Sequence, residues 1–85
     1  MREVHFTPEA HSQLEHWKKE NRKIYSRIET IIDNIQENQY TGIGKPEPLK
    51  HQLKGYWSRR ITKEHRLVYM VTEDAIVIIS CKYHY

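Results

Sequence analysis

The chain has 85 residues, with 14 Lys plus Arg against 11 Asp plus Glu, a formal net charge of +3 at pH 7, six His and a single Cys. That length holds one domain, residues 1–85, and a domain this small buries only about 60% of the surface its unfolded chain exposes. A lone Cys excludes an internal disulfide framework and a cysteine-ligated zinc site. No apolar run approaches the ~20 residues of a membrane span, and Met1 to Phe6 carries no signal-peptide h-region, so the expectation is a cytoplasmic protein with no membrane partner.

Glu3 to Phe6 alternates and predicts a short strand. Thr7-Pro8-Glu9 reads as a helix start: Thr7 can cap, Pro8 suits the first helical position, and Glu9 favours the positive end of the helix. Ala10, Leu14 and Trp17 then fall on one helical face. Asn21 predicts a break, after which Ile24, Ile28, Ile31, Ile32 and Ile35 form a second apolar stripe. Residues 38–48 hold two of the three Gly and two of the three Pro and predict a loop, with Glu47 biased to extended backbone by Pro48. From Leu49 the period becomes two, and strands are predicted over 49–53, 56–61, 66–71 and 75–82, joined by short turns that suit antiparallel neighbours. The expected fold class is α+β, in the order β-α-α-β-β-β-β: a mostly antiparallel sheet with two helices on one face.

Charge is unevenly placed. Residues 1–42 carry six basic and seven acidic side chains, a net −1, and residues 43–85 carry eight basic and four acidic, a net +4. That imbalance favours a polyanionic partner for the second half. Arg59, Arg60 and Arg66 lie on the predicted middle strands. The helices cover only one face, so the other is expected to be basic and solvated, edged by Lys45, Glu47, Lys50 and His51. A three-residue loop at Thr72-Glu73-Asp74 would pair Val71 with Ala75 and set Arg66 opposite Ser80, on the face that also carries His84. A two-residue loop would move Arg66 to the other face.

Taken singly, these are ordinary surface residues. As a set they are the parts needed to cut RNA without a metal or cofactor. The 2′-hydroxyl must lose a proton, the phosphorane needs positive charge, and the 5′-oxygen must gain a proton. Glu47 suits the base, Arg66 a two-bond phosphate clamp and His84 the acid, while Trp57 and Tyr85 suit base stacking. Glu47 must be ionised while His84 is protonated, and ordinary values of about 4.3 and 6.5 leave a window that predicts a bell-shaped pH–rate profile. The remaining histidines suggest less. His11 and His16 are five apart and do not share a helix face, His65 reads as a surface residue in a turn, and His51 either touches RNA or packs. Cys81 reads as a small buried hydrophobe.

Gly44-Lys-Pro-Glu-Pro-Leu-Lys-His51, Trp57-Ser-Arg-Arg-Ile-Thr62, Glu64-His-Arg-Leu-Val-Tyr69 and the ending Tyr83-His-Tyr85 closely resemble the YoeB-type toxins (Txe/YoeB family, RelE superfamily) over essentially the whole chain. The resemblance implies a microbial-RNase-like fold and a toxin of a type II toxin–antitoxin module that cuts mRNA in the ribosomal A site, leaving a 2′,3′-cyclic phosphate and a 5′-hydroxyl. It places the general base on Glu47, the general acid on His84, the phosphate-stabilising Arg on Arg66 and the terminal aromatic on Tyr85. Lys45, Lys50, Lys54, Arg59 and Arg60 would contact mRNA or ribosomal RNA. The implied partners are the ribosome with its message and a YefM-type antitoxin whose acidic segment folds over the toxin; a homodimer is compatible with it. Two other readings stand beside it: a non-catalytic inhibitor that occupies the ribosome through the same basic face, and a ParE-like topoisomerase poison on the related scaffold, which would not need the Glu47, Arg66, His84 and Tyr85 set.

Overall fold

The computed structural model describes residues 1–83. Strand β1 (Glu3–Phe6) leads into helices α1 (Pro8–Glu20) and α2 (Arg22–Glu37), followed by strands β2 (Glu47–Pro48), β3 (Trp57–Arg60), β4 (Arg66–Val71) and β5 (Ala75–Ser80). The five strands form one mixed sheet in the order β1-β5-β4-β3-β2. β1 runs parallel to β5, and every other pair is antiparallel.

The helix starts arise from the residues that predicted them. Thr7 Oγ1 accepts from the Ala10 N–H at 3.1 Å and donates to Ile79 O at 3.0 Å, so one hydroxyl caps α1 and ties it to β5. Asn21 serves both helices: its N–H closes α1 on Trp17 O, and its Oδ1 accepts from Ile24 N–H at the start of α2. Ile28, Ile31 and Ile35 of α2 are fully buried, and they pack with Ala10, Trp17, Leu67, Tyr69, Ile76 and Ile78 into a single core between the helices and one sheet face. The opposite sheet face is left without helices.

Three expectations change. The strand predicted at 49–53 is a two-residue strand at Glu47–Pro48 and then a 3-10 turn over His51–Leu53. His51 takes φ +58°, and the N–H groups of Leu53, Lys54 and Tyr56 close on carbonyls three residues back, so local turn bonds replace a ladder. The last strand stops at Ser80, because α1 side chains take both backbone groups of Cys81: Gln13 Oε1 accepts its N–H at 2.7 Å and Trp17 Nε1 donates to its carbonyl at 2.9 Å. The β4–β5 turn also spans one residue more than expected. Thr72 N–H donates to Ala75 O at 2.8 Å and Thr72 Oγ1 accepts from Ala75 N–H at 2.9 Å, which pairs Val71 with Ile76. A bulge between Val68 and Tyr69 then shifts the register again, so Val68, not Arg66, pairs with Ser80. Two one-residue shifts cancel in parity, and Arg66 keeps the side the three-residue loop would have given it.

Candidate active site

Strand pairing divides the predicted residues between the two faces. Trp57 pairs with Tyr69 and Arg59 with Leu67, which puts both on the helix side, while Ser58 pairs with Val68 and Arg60 with Arg66 on the open side. Glu47 pairs with Ser58 and joins the open face from the edge strand. Ser58 is buried and small, so little side chain separates Glu47 from the middle of that face.

Glycine makes this approach possible. Gly44 has φ +78°, and its carbonyl accepts the Arg60 N–H at 2.6 Å. A Cβ there would come within 3.0 Å of Arg60 O and 3.2 Å of Arg59 Cβ, so only a residue without one lets the Lys45-Pro46-Glu47 segment lie this close to β3.

The open face concentrates positive charge. Arg60 and Arg66 stand directly opposite each other across β3 and β4, an arrangement of like charges that costs stability and is relieved by an anion. Arg66 Nη1 donates to the carbonyls of Thr62 (2.9 Å), Lys63 (3.1 Å) and His65 (3.2 Å), which fixes the guanidinium against the preceding turn. Lys45, Glu47, Lys50, His51, Lys54 and Arg60 are exposed. His84 and Tyr85 lie outside the described residues.

Two of the predicted RNA contacts sit elsewhere. Arg59 is fully buried. Its Nε donates to Tyr69 Oη (3.2 Å), its Nη1 to Asn34 Oδ1 (2.6 Å) and Ile43 O (3.2 Å), and its Nη2 to Asn38 O (2.7 Å) and Thr41 O (3.0 Å). Alternation forces this outcome: adjacent arginines in a strand cannot share a face. The buried charge is met by oxygens at the C-terminal end of α2, where the helix dipole is negative, and in the loop that follows. Tyr69 completes the network by donating to Gln39 O at 2.7 Å, and burial pushes its hydroxyl pKa up against the opposing pull of the Arg59 hydrogen bond and charge. Trp57 is also on the helix side, half-buried and packed against Tyr40 with ring centroids 4.9 Å apart, away from Glu47.

His65, expected at the surface of a turn, is instead packed into the fold. It is half-buried, its ring lies 4.8 Å from that of Trp17, and its Nδ1 accepts the Tyr83 N–H at 2.8 Å. Asn34, beside the Ile stripe of α2, holds both Arg59 and the Ile43 N–H; its only signal in the sequence is an amide next to an otherwise apolar face.

A family model described as the YoeB-like toxin of bacterial type II toxin–antitoxin system matches residues 6–85. The Toxin YoeB of Mycobacterium bovis is 47% identical over 85 residues, covering 100% of each chain. The YoeB dimer from Staphylococcus aureus superposes with a TM-score of 0.93 at 44% identity, over 99% of this chain and 98% of that one. A YoeB–YefM complex from the same organism gives a TM-score of 0.92 at 44% identity, over 100% and 99%. With this fold, these motifs and this extent of likeness, the chain belongs to the YoeB-like toxins of bacterial type II toxin–antitoxin systems.

Proposed function

We propose that this toxin is a metal-independent endoribonuclease that cuts mRNA in the ribosomal A site and so stops translation in the cytoplasm. Glu47 removes the proton from the 2′-hydroxyl, whose oxygen attacks the adjacent phosphorus. Arg66, with Arg60 opposite it, holds the charge that builds on the phosphorane. The bond to the 5′-oxygen breaks as His84 gives that oxygen a proton, leaving a 2′,3′-cyclic phosphate and a 5′-hydroxyl. Tyr85 stacks on a base beside the scissile bond. The observation that supports this reading most is the exposed Glu47 on the same open face as the Arg60–Arg66 pair: a base and a phosphate site on one surface.

Lys45, Lys50, His51 and Lys54 extend this surface toward message or ribosomal RNA. The neutralising partner is a YefM-type antitoxin, whose acidic segment suits the +4 half of the chain and competes with RNA for it. A homodimer of this toxin would follow the assembly its S. aureus relative adopts.

Primer extension on a translating message tests the proposal, with wild type, Glu47→Gln, His84→Gln and the double variant. Wild type is expected to give ribosome-dependent stops, and each single variant to lose about 100-fold or more in cleavage rate. Toxicity and ribosome binding that both survive in the double variant, with no cleavage by wild type, would favour the inhibitor that merely occupies the ribosome.

A further inference from the structure

Past Ser80 the backbone leaves the sheet, and side chains from two other elements take over its support. Thr7, Gln13 and Trp17 hold residues 79–81 from the side of α1. Two residues further on, Tyr83 has φ +65°. A left-handed conformation at a residue with a large side chain is unfavourable and persists only where its surroundings fix it. Here both of its backbone groups are fixed by one dipeptide: its N–H donates to His65 Nδ1 at 2.8 Å, and its carbonyl accepts from the Arg66 N–H at 3.0 Å. The His65 ring is edge-on to Trp17 at 4.8 Å and tilted to Tyr83 at 5.7 Å. The next residue in the chain is His84.

We propose that His65 is a positioning residue for RNA cleavage, whose unprotonated Nδ1 holds the Tyr83 peptide, next in sequence to His84, and lets go when the ring is protonated. This rests on the reading of His84 as the general acid. An imidazole nitrogen that accepts from an N–H must carry a lone pair, so the ring proton is on Nε2; a second proton would set Nδ1–H against Tyr83 N–H. Among the described residues, the titratable and charged groups near this ring are His16 on α1, against Trp17 at 4.9 Å, Lys82, with Nζ 5.0 Å from the Tyr83 centroid, Arg66, bonded to the His65 carbonyl, and Lys63 and Glu64 in the same turn. Arg66 then has two linked roles: its guanidinium faces the phosphate site while its backbone helps hold the segment that leads to the acid.

The test uses full-length toxin and separates the hydrogen bond from the chemistry. In a Glu47→Gln background, nitrogen-15 NMR of His65 is expected to report the Nε2–H tautomer, with a Tyr83 amide protected from exchange that loses protection as His65 titrates. In single-turnover cleavage on programmed ribosomes, His65→Phe keeps a ring but has no acceptor and is expected to slow cleavage about 10- to 100-fold. His65→Asn offers an amide oxygen near the Nδ1 position and does not titrate. It is expected to stay within about threefold of wild type at neutral pH, while the acid limb loses the additional fall of about 10- to 100-fold that protonation of His65 adds in wild type, because only Glu47 must then be deprotonated. If His65→Phe does not fold, the His65→Asn acid limb decides. An Nδ1–H tautomer, an unprotected Tyr83 amide, or an unchanged acid limb in His65→Asn overturns the positioning role. A wild type that does not cleave, with tautomer and protection as stated, overturns the nuclease reading and leaves the hydrogen bond standing.

Discussion

Arg59 and Arg60 are adjacent in the chain and belong to two different regions of the molecule. On the helix side, the Arg59 guanidinium is sealed from water and spends its donors on Asn34, Asn38, Thr41, Ile43 and Tyr69. On the open side, Arg60 is exposed and confronts Arg66. The first gathers a cluster of oxygens from the end of α2 and the loop after it; the second presents its charge on a surface. One arginine therefore acts on stability and its neighbour on binding, and a strand needs only its period of two to separate them.

The comparison breaks most visibly on the closed side. Arg59→Ala would leave the carbonyls of Asn38, Thr41 and Ile43 without the guanidinium and the Asn34 amide oxygen with only the Ile43 N–H, at a cost of about 3–5 kcal/mol. Denaturant unfolding measures it directly. Arg59→Lys is expected to recover little, since one ammonium cannot span acceptors that a planar fork reaches from two nitrogens. The segment these carbonyls belong to includes Gly42, whose φ is +123° and where a Cβ would lie 2.0 Å from Asn34 Oδ1. Cleavage would fall along with stability, because this segment runs into Lys45 and Glu47. A stability loss below about 1 kcal/mol would show that the acceptors find water, and that the closed side is less closed than its geometry implies.

A second expectation sharpens the contrast through pH. Cys81 is fully buried in the core, and burial pushes its thiol up to about 12 from an ordinary 9.0. Its folded-state pKa lies above the unfolded one, so its contribution is intact below pH 9 and declines as pH rises toward 12. The slope is about 1.4 kcal/mol per pH unit, because the unfolded thiol ionises first. Tyr69 adds in the same direction above its ordinary value of 10.0. Cys81→Ala is expected to flatten the alkaline limb of stability measured by urea unfolding between pH 8 and 11, leaving the residual slope to Tyr69. An alkaline limb as steep as that of wild type would mean that the thiol reaches water before the chain unfolds.

How much of this was legible in the sequence follows from the range of the forces involved. Caps and stripes are local, so Thr7-Pro8, Asn21 and the isoleucines of α2 predicted both helices. Alternation is also local, and β4 over 66–71 follows it. Residues 49–53 alternate equally well but form a turn, because a strand exists only if a neighbour accepts its ladder, and α1 likewise shortens β5 by drawing off the backbone of Cys81. The motifs at 44–51, 57–62 and 64–69 identified the family, and alternation alone could have separated Arg59 from Arg60. Nothing local distinguishes His65 from a surface histidine: its partners, Trp17 and Tyr83, lie far away in the chain and meet it only in the folded protein.

The smallest effect on stability is expected from the neighbour of the residue with the largest. Arg60→Ala removes an exposed side chain and eases its repulsion with Arg66, so unfolding free energy should change by no more than about 0.5 kcal/mol. Binding should report the loss instead. If Arg60 meets one phosphate, affinity for single-stranded RNA should fall, and the slope of log affinity against log salt should drop by about 0.7. The salt slope is the more discriminating readout, because a fold defect lowers affinity at every salt concentration and leaves the slope unchanged. A changed stability together with an unchanged slope would place Arg60 with Arg59 as a framework residue, and the open face would lose half of the charge pair that marks it as a phosphate site.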